Sequence, residues 1–422
     1  MRKSAIALAV ICLSAGEAHA SWQNWSWLNQ YQQPNMHIGQ FALHPNYAFS
    51  QTYDSNIYLV PRDQPGGVVV GGGNRESWIT KNNLGLEASL AGHKLHALSI
   101  GYGFESQIYT TQPEINNAFN QQAHADYAYS GAYGLTFRAG DRYVNTTDQA
   151  FSELVGRNRR WMNYMYAGLD YDQEHGRLAG GIDASQQNDK YISPELARLL
   201  NRYEDSIGFN VGYKVQPKTK AYLSYHRGIV HYSIPASDLQ KDSRSHSVGA
   251  GVTGRLSPTV EGQVEGGMTY RQYDVAPVSG ASRIFISPTV ATSVTYKPDT
   301  LTTIIVNLSR RLQESIDPSN PFYYSNSASL DIKHKFPRKF SAGINAAIGI
   351  DKYKNTRLID SASDAVANRR DDLYQGGTWV NYDIQKWLTT GLIYVYRERD
   401  STMSAQCNYQ EHQTTWHASL MF

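Results

Sequence analysis

The chain has 422 residues, a formal net charge of +2, 18% charged residues and 12% aromatics, including 30 tyrosines. So small a net charge gives no electrostatic case for a nucleic acid or a strongly acidic partner, and the charged fraction falls below the quarter usual for soluble domains. The mean hydropathy is negative, and no apolar run beyond residue 20 reaches the roughly 20 residues a transmembrane helix needs. That excludes helical spans and leaves open a membrane barrel, whose strands are apolar only at alternate positions.

In chain order, Arg2 and Lys3 precede the apolar run Ala5–Leu13, and Ala18-His19-Ala20 is a small-x-small cleavage site. Residues 1–20 therefore read as a secretory signal peptide. Cys12 follows Val10 and Ile11, where a lipid-attachment site wants small residues, so it reads as part of the signal. Cleavage near Ala20 leaves Cys407 as a single cysteine, either an inert thiol or the site of an intermolecular bridge. Residues 21–40 form an N-terminal segment that opens Ser21-Trp22-Gln23-Asn24-Trp25-Ser26-Trp27-Leu28. It lacks sustained alternation and fits a periplasmic tail, an interfacial anchor or a partner contact.

Residues 41–422 alternate with period two. Leu98, Ile100, Tyr102 and Phe104 share one face against Ser99, Gly101 and Gly103. Val260, Val264, Met268 and Tyr270 oppose Glu261, Gln263, Glu265, Thr269 and Arg271. Leu330 and Ile332 oppose Asp331 and Lys333, and Phe340, Ile344 and Ile348 oppose Ser341, Asn345 and Gly349. Side chains of a strand point to alternate faces, so each segment has an apolar and a polar wall. A soluble sandwich alternates in the same way, so the connections have to separate the two classes. Short turns, such as Gln173–Gly176, Gln216–Thr219, Ser257–Thr259, Lys297–Thr300 and Pro337–Lys339, carry turn-forming residues. Between them lie the longer polar stretches Pro61–Ser77, Asn145–Arg160, Asn188–Asn201, Ile234–Ser245 and Asn355–Arg370. Short periplasmic turns and long extracellular loops are expected of an all-β transmembrane antiparallel outer-membrane barrel, here of about 18 strands (16–18) running about 10 to 13 residues each.

Two aromatic girdles follow from that layout. Tyr129, Tyr133, Tyr213, Tyr296, Phe336, Phe340, Tyr382 and Trp387 lie near short turns, and Trp78, Tyr109, Trp161, Tyr270, Tyr324, Tyr374 and Tyr396 near long loops. Ser193 as N-cap, Pro194 at the first helical position and the stripe Leu196, Leu199, Leu200 and Tyr203 predict a short helix in a loop, placed either as a constriction or on the rim. In the final strand Trp416, Ala418, Leu420 and Phe422 share a face. This looks like the C-terminal strand that the barrel-assembly machinery reads.

No enzyme site stands out, and no catalytic residue, cofactor or metal is expected. The Gly-rich run Pro65–Gly73 lacks a Gly-Lys-Ser/Thr ending, and the 13 histidines show no metal-type spacing. His124 with Asp126, or Ser224 with His226, could be arranged into a catalytic pair, but pairs of this kind read as ordinary lumen lining. The alternation instead assigns Asp126, Arg138, Arg142, Asp183, Arg255, Glu261, Glu265, Arg271, Asp331, Lys333 and Asp351 to the lumen, together with Lys214, His226, Lys335 and Arg397. A Lys or Arg facing lipid at the midplane would cost roughly 2–4 kcal/mol. Both signs are present, which argues against a strongly ion-selective bore.

The early strand Ala48-Phe49-Ser50-Gln51-Thr52-Tyr53-Asp54-Ser55-Asn56-Ile57-Tyr58 is similar to the opening strand of the "putative β-barrel porin 2" family, in which a Tyr-Asp-x-Asn run leads to the first long loop. The resemblance implies an outer-membrane barrel that serves as the exit for an exopolysaccharide or capsule polymer, beside a periplasmic polysaccharide-export protein. It carries over no individual functional residue. A diffusion porin for small solutes, a surface enzyme and an adhesin acting through its loops are the other classes the residues allow.

Overall fold

The computed structural model describes residues 36–61, 75–90, 93–148, 157–173, 175–233, 241–276, 282–315, 321–357, 366–402 and 408–421. The signal peptide, the tryptophan-rich opening, the Gly-rich run, Cys407 and Phe422 lie outside these residues. The chain begins with a short strand β1 (Met36–Ile38) and β2 (Phe41–Asp54), then β3 (Ser77–Leu90), β4 (His96–Tyr109), helix α1 (Pro113–Asn116), β5 (Ala118–Ser130) and β6 (Leu135–Thr146). It continues through β7 (Arg160–Asp172), β8 (Leu178–Tyr191), helix α2 (Pro194–Leu200), β9 (Arg202–Gln216), β10 (Thr219–Tyr232), β11 (Ser243–Arg255) and β12 (Val260–Tyr273). The remaining strands are β13 (Ile284–Tyr296), β14 (Thr302–Glu314), β15 (Phe322–Lys335), β16 (Phe340–Arg357), β17 (Val366–Gln385), β18 (Leu388–Ser401) and β19 (Tyr409–Met421).

Strands β2 to β19 pair antiparallel, each with its sequence neighbour, and β19 closes on β2 from Gln413↔Asp54 to Met421↔Asn46. Closure gives an eighteen-stranded barrel with no free edge, which lets every strand satisfy its backbone groups without water. β1 folds back on the start of β2 through Gly39, whose φ of +60° suits glycine. Among the described residues no helix is long and apolar enough to cross a membrane.

Alternation sorts the two faces as chemistry requires. The outer positions Ile100, Val264, Met268, Ile344, Ile348 and Leu392 are exposed around the barrel, and the inner positions beside them are mostly polar or small. The short turns fall at one end. Strands β2 to β19 run 12–20 residues, longer than the alternation suggested. β8 runs on to Tyr191, and β16 and β17 continue to Arg357 and from Val366, through stretches that read as loop. Beyond a bilayer both faces of a strand meet water, so pairing persists after the apolar rhythm stops.

One seam interrupts the ladder. β13 and β14 pair only from Val290↔Arg310 to Tyr296↔Ile304. The β12–β13 bonds Tyr273 N–H to Arg283 O and Lys297 N–H to Thr259 O place the odd N–H groups of β13 toward β12. Position 288 therefore faces β14, and Pro288 has no N–H to give. Past Arg310, β14 leans inward. Leu312 packs with Tyr273 and Phe322, the Glu314 carboxylate takes Arg271, and Ser287 is fully covered.

Candidate functional site

The inner wall is built on glycines that seat side chains from neighbouring strands. His124 lies over Gly101, Tyr166 over Gly140, His226 and Asp183 over Gly208, Tyr222 over Gly251 and Trp379 over Gly343. A Cβ on any of these glycines would stand only 2.2–2.7 Å from the nearest overlying atom. Large polar side chains thus lie flat against the wall instead of crossing the bore. A cavity of about 380 Å³ opens between β7 and β14.

Most inner charges are spent on one another. Arg138 binds Asp170 through Nε at 3.0 Å and Nη2 at 2.5 Å. Asp126 accepts from Tyr166 Oη at 2.6 Å and from Arg142 at 3.4 Å. Glu265 accepts from Tyr222 Oη at 2.5 Å and Ser224 Oγ at 2.9 Å. Asp183 lines the cavity beside His226. At the turn end Glu261 pairs with Lys297 at 2.7 Å, and Arg255 stands opposite Glu261 in the ladder. Asp331 lies opposite Asn345, Lys333 sits 5.8 Å from the centre of the Trp379 ring, and Asp351, 1% exposed, lies opposite Asp371. Lys214 goes to Asp172, and Arg397 to Glu411 at 3.0 Å. Lys335 is exposed at the turn end. Asp126 serves Tyr166 and Arg142, and the Ser224 hydroxyl goes to Glu265 instead of His226.

Toward the loop end the inner wall carries a buried polar belt that sequence reasoning missed. Arg202 bridges Asp189 at 3.1 Å and Glu204 at 2.5 Å, and Arg369 holds Asp371 at 2.8 and 2.5 Å. Arg157 binds Tyr109 Oη and Gln107 Oε1. Tyr109 therefore leaves the loop-end girdle. It is 4% exposed and faces inward, because position 109 is out of phase with the outward Ile100 and Tyr102. The belt's residues come from stretches whose polarity resembles solvated loop, and only strand pairing brings them together. The α2 stripe rests inward as well: Leu200, 1% exposed, packs with Leu196 and Leu199 on Tyr191, a residue that lines the cavity.

No curated protein matches the chain in sequence. Among solved structures it is similar to the siderophore receptor PirA from Acinetobacter baumannii, at 9% identity over 90% of this chain and 80% of that one, with a TM-score of 0.42. It is also similar to OccAB4 from Acinetobacter baumannii (10% identity, 92% and 100% coverage, TM-score 0.44) and to OccK7 (OpdD) from Pseudomonas aeruginosa (12% identity, 92% and 99% coverage, TM-score 0.44). The family described as "Putative beta-barrel porin 2" matches residues 30–420; the chain belongs to that family, and its closed barrel is a porin-type channel of the outer membrane.

Proposed function

We propose that the barrel is a conduit through which a secreted exopolysaccharide, of biofilm or capsule type, leaves the cell. The observation that carries this reading is the self-neutralised inner wall. Arg138–Asp170, Arg142–Asp126 and Arg271–Glu314 cancel in place, where a wall of one sign would select ions. Hydroxyls, amides and flat-lying rings between these pairs offer a hydroxylated chain many weak, exchangeable hydrogen bonds. Guidance is passive. Synthesis at the inner membrane supplies the energy, a periplasmic polysaccharide-export protein delivers the chain at the turn end, and no residue does covalent chemistry.

The test is a deletion strain of the source cell, in which surface and medium polysaccharide are measured against polymer trapped inside. Loss of exported polymer, restored by the intact gene, supports the conduit. Unchanged polymer with slower uptake of small solutes overturns it in favour of a diffusion porin.

A further inference from the structure

Around Trp379 the inner wall gathers polar groups that other inner residues do not use up. Three inner rows cross β15 to β18 there: Asp331, Asn345, Gly377 and Val395; Lys333, Gly343, Trp379 and Ile393; and Lys335, Ser341, Asn381 and Gly391. The indole leans over Gly343, whose Cβ, if present, would lie 2.5 Å from Nε1 and Cε2. One face of the ring is thereby backed by the wall. Among the described residues Trp379 has no aromatic partner and no acceptor for its Nε1–H; Lys333 Nζ lies over its ring, 5.8 Å from the centre. Asn345 Oδ1 and Asn381 Oδ1 are buried without a hydrogen-bond partner. Asp331 and Lys333 make no ion pair or hydrogen bond among the described residues, in contrast to Asp126, Arg138 and Glu265. Ile393 and Val395 extend the apolar surface beside the ring.

A flat indole, two aliphatic side chains and a rim of unspent amide, carboxylate and ammonium groups is a poor structural core. Nothing in the fold needs a tryptophan there, and groups left unsatisfied are costly unless something else satisfies them. The arrangement matches the two-sided chemistry of a sugar ring. The C–H groups of a pyranose face carry partial positive charge and suit the negative face of the indole. The equatorial hydroxyls at the ring edge reach donors and acceptors together. We propose that Trp379, with Asp331, Lys333, Asn345 and Asn381, is a saccharide-stacking subsite on the inner wall. It holds one sugar residue of a passing chain against the barrel. This proposal rests on the conduit reading and adds the place where the chain is recognised.

The test is block of ion current through the purified full-length protein in planar bilayers. The probes are cellohexaose as a neutral chain and hexagalacturonate as an acidic one, added at the turn end. At least one is expected to block the wild type, with the half-blocking concentration raised about tenfold in Trp379→Ala and no more than about threefold in Trp379→Phe. Gly343→Ala keeps the indole but lifts it from its seat, and is expected to weaken block as well. Heat-modifiable gel migration verifies that each variant is folded, and Trp387→Ala, exposed in the turn between β17 and β18, is expected to block as the wild type does. Equal block of wild type and both Trp379 variants overturns the subsite and leaves the conduit to the export assay. Failure of both probes to block the wild type also overturns the subsite, again without deciding polymer export.

Discussion

Gly140 illustrates what a single inner-wall residue controls. A Cβ there would stand 2.6 Å from both Asp126 Oδ1 and the Tyr166 ring, so a larger residue must push that ring into the bore. Gly140→Val is expected to lower single-channel conductance and to cost about 1–3 kcal/mol through forced repacking. Conductance in planar bilayers and urea unfolding in vesicles check the two effects. Alternation placed Gly101 and Gly103 on the polar face. Their role as seats was not legible, because a seat requires the large side chain of the neighbouring strand. His124 is 23 residues from Gly101 and meets it only through the β4–β5 register.

At the scale of elements, the end of β14 beyond the β13–β14 seam is latched by side chains instead of by backbone pairing to β13. β14 past Arg310 is tied inward by the Glu314–Arg271 ion pair, by a hydrogen bond from Tyr232 Oη at 3.3 Å and by Leu312. Glu314→Gln removes the charge that balances Arg271. The variant is expected to lose on the order of 3 kcal/mol and to show a higher mean conductance as the strand end swings out. Ser327→Ala, on the same hairpin, is expected to change neither; unchanged conductance in Glu314→Gln would sink the latch. Pro288 is visible in the sequence, but its consequence depends on which neighbour its nitrogen faces, and that is a matter of register. The α2 helix is the opposite case: Ser193, Pro194 and the leucine stripe marked it before any contact was known. Even so, the Ser193 side chain makes no capping bond, and only packing on Tyr191 decided that the stripe turns inward.

Across the whole molecule, one rule orders the barrel: a displacement of one residue in register exchanges the wall that meets lipid with the wall that meets water. Ile344, 60% exposed on the outer face, and Ser327, whose hydroxyl meets Ser309 on the inner face at 2.7 Å, make the contrast measurable. Ile344→Lys is expected to cost about 2–4 kcal/mol and Ser327→Lys close to nothing. Urea unfolding in lipid vesicles checks both, and the reverse order would mean that the faces are exchanged.

The barrel class, the sorting of faces and the turn positions were determined by the sequence alone. They depend on local period and on turn chemistry, and Leu98 to Phe104 or Gln216 to Thr219 carry them without help from distant residues. Strand length, the buried belt of Arg202, Arg369 and their acids, the inward Tyr109, the β13–β14 seam and the surroundings of Trp379 were decided only by the tertiary structure. Each of these depends on which residue of the next strand lies alongside, and cross-strand register is set by closure of the whole sheet, not by any one segment.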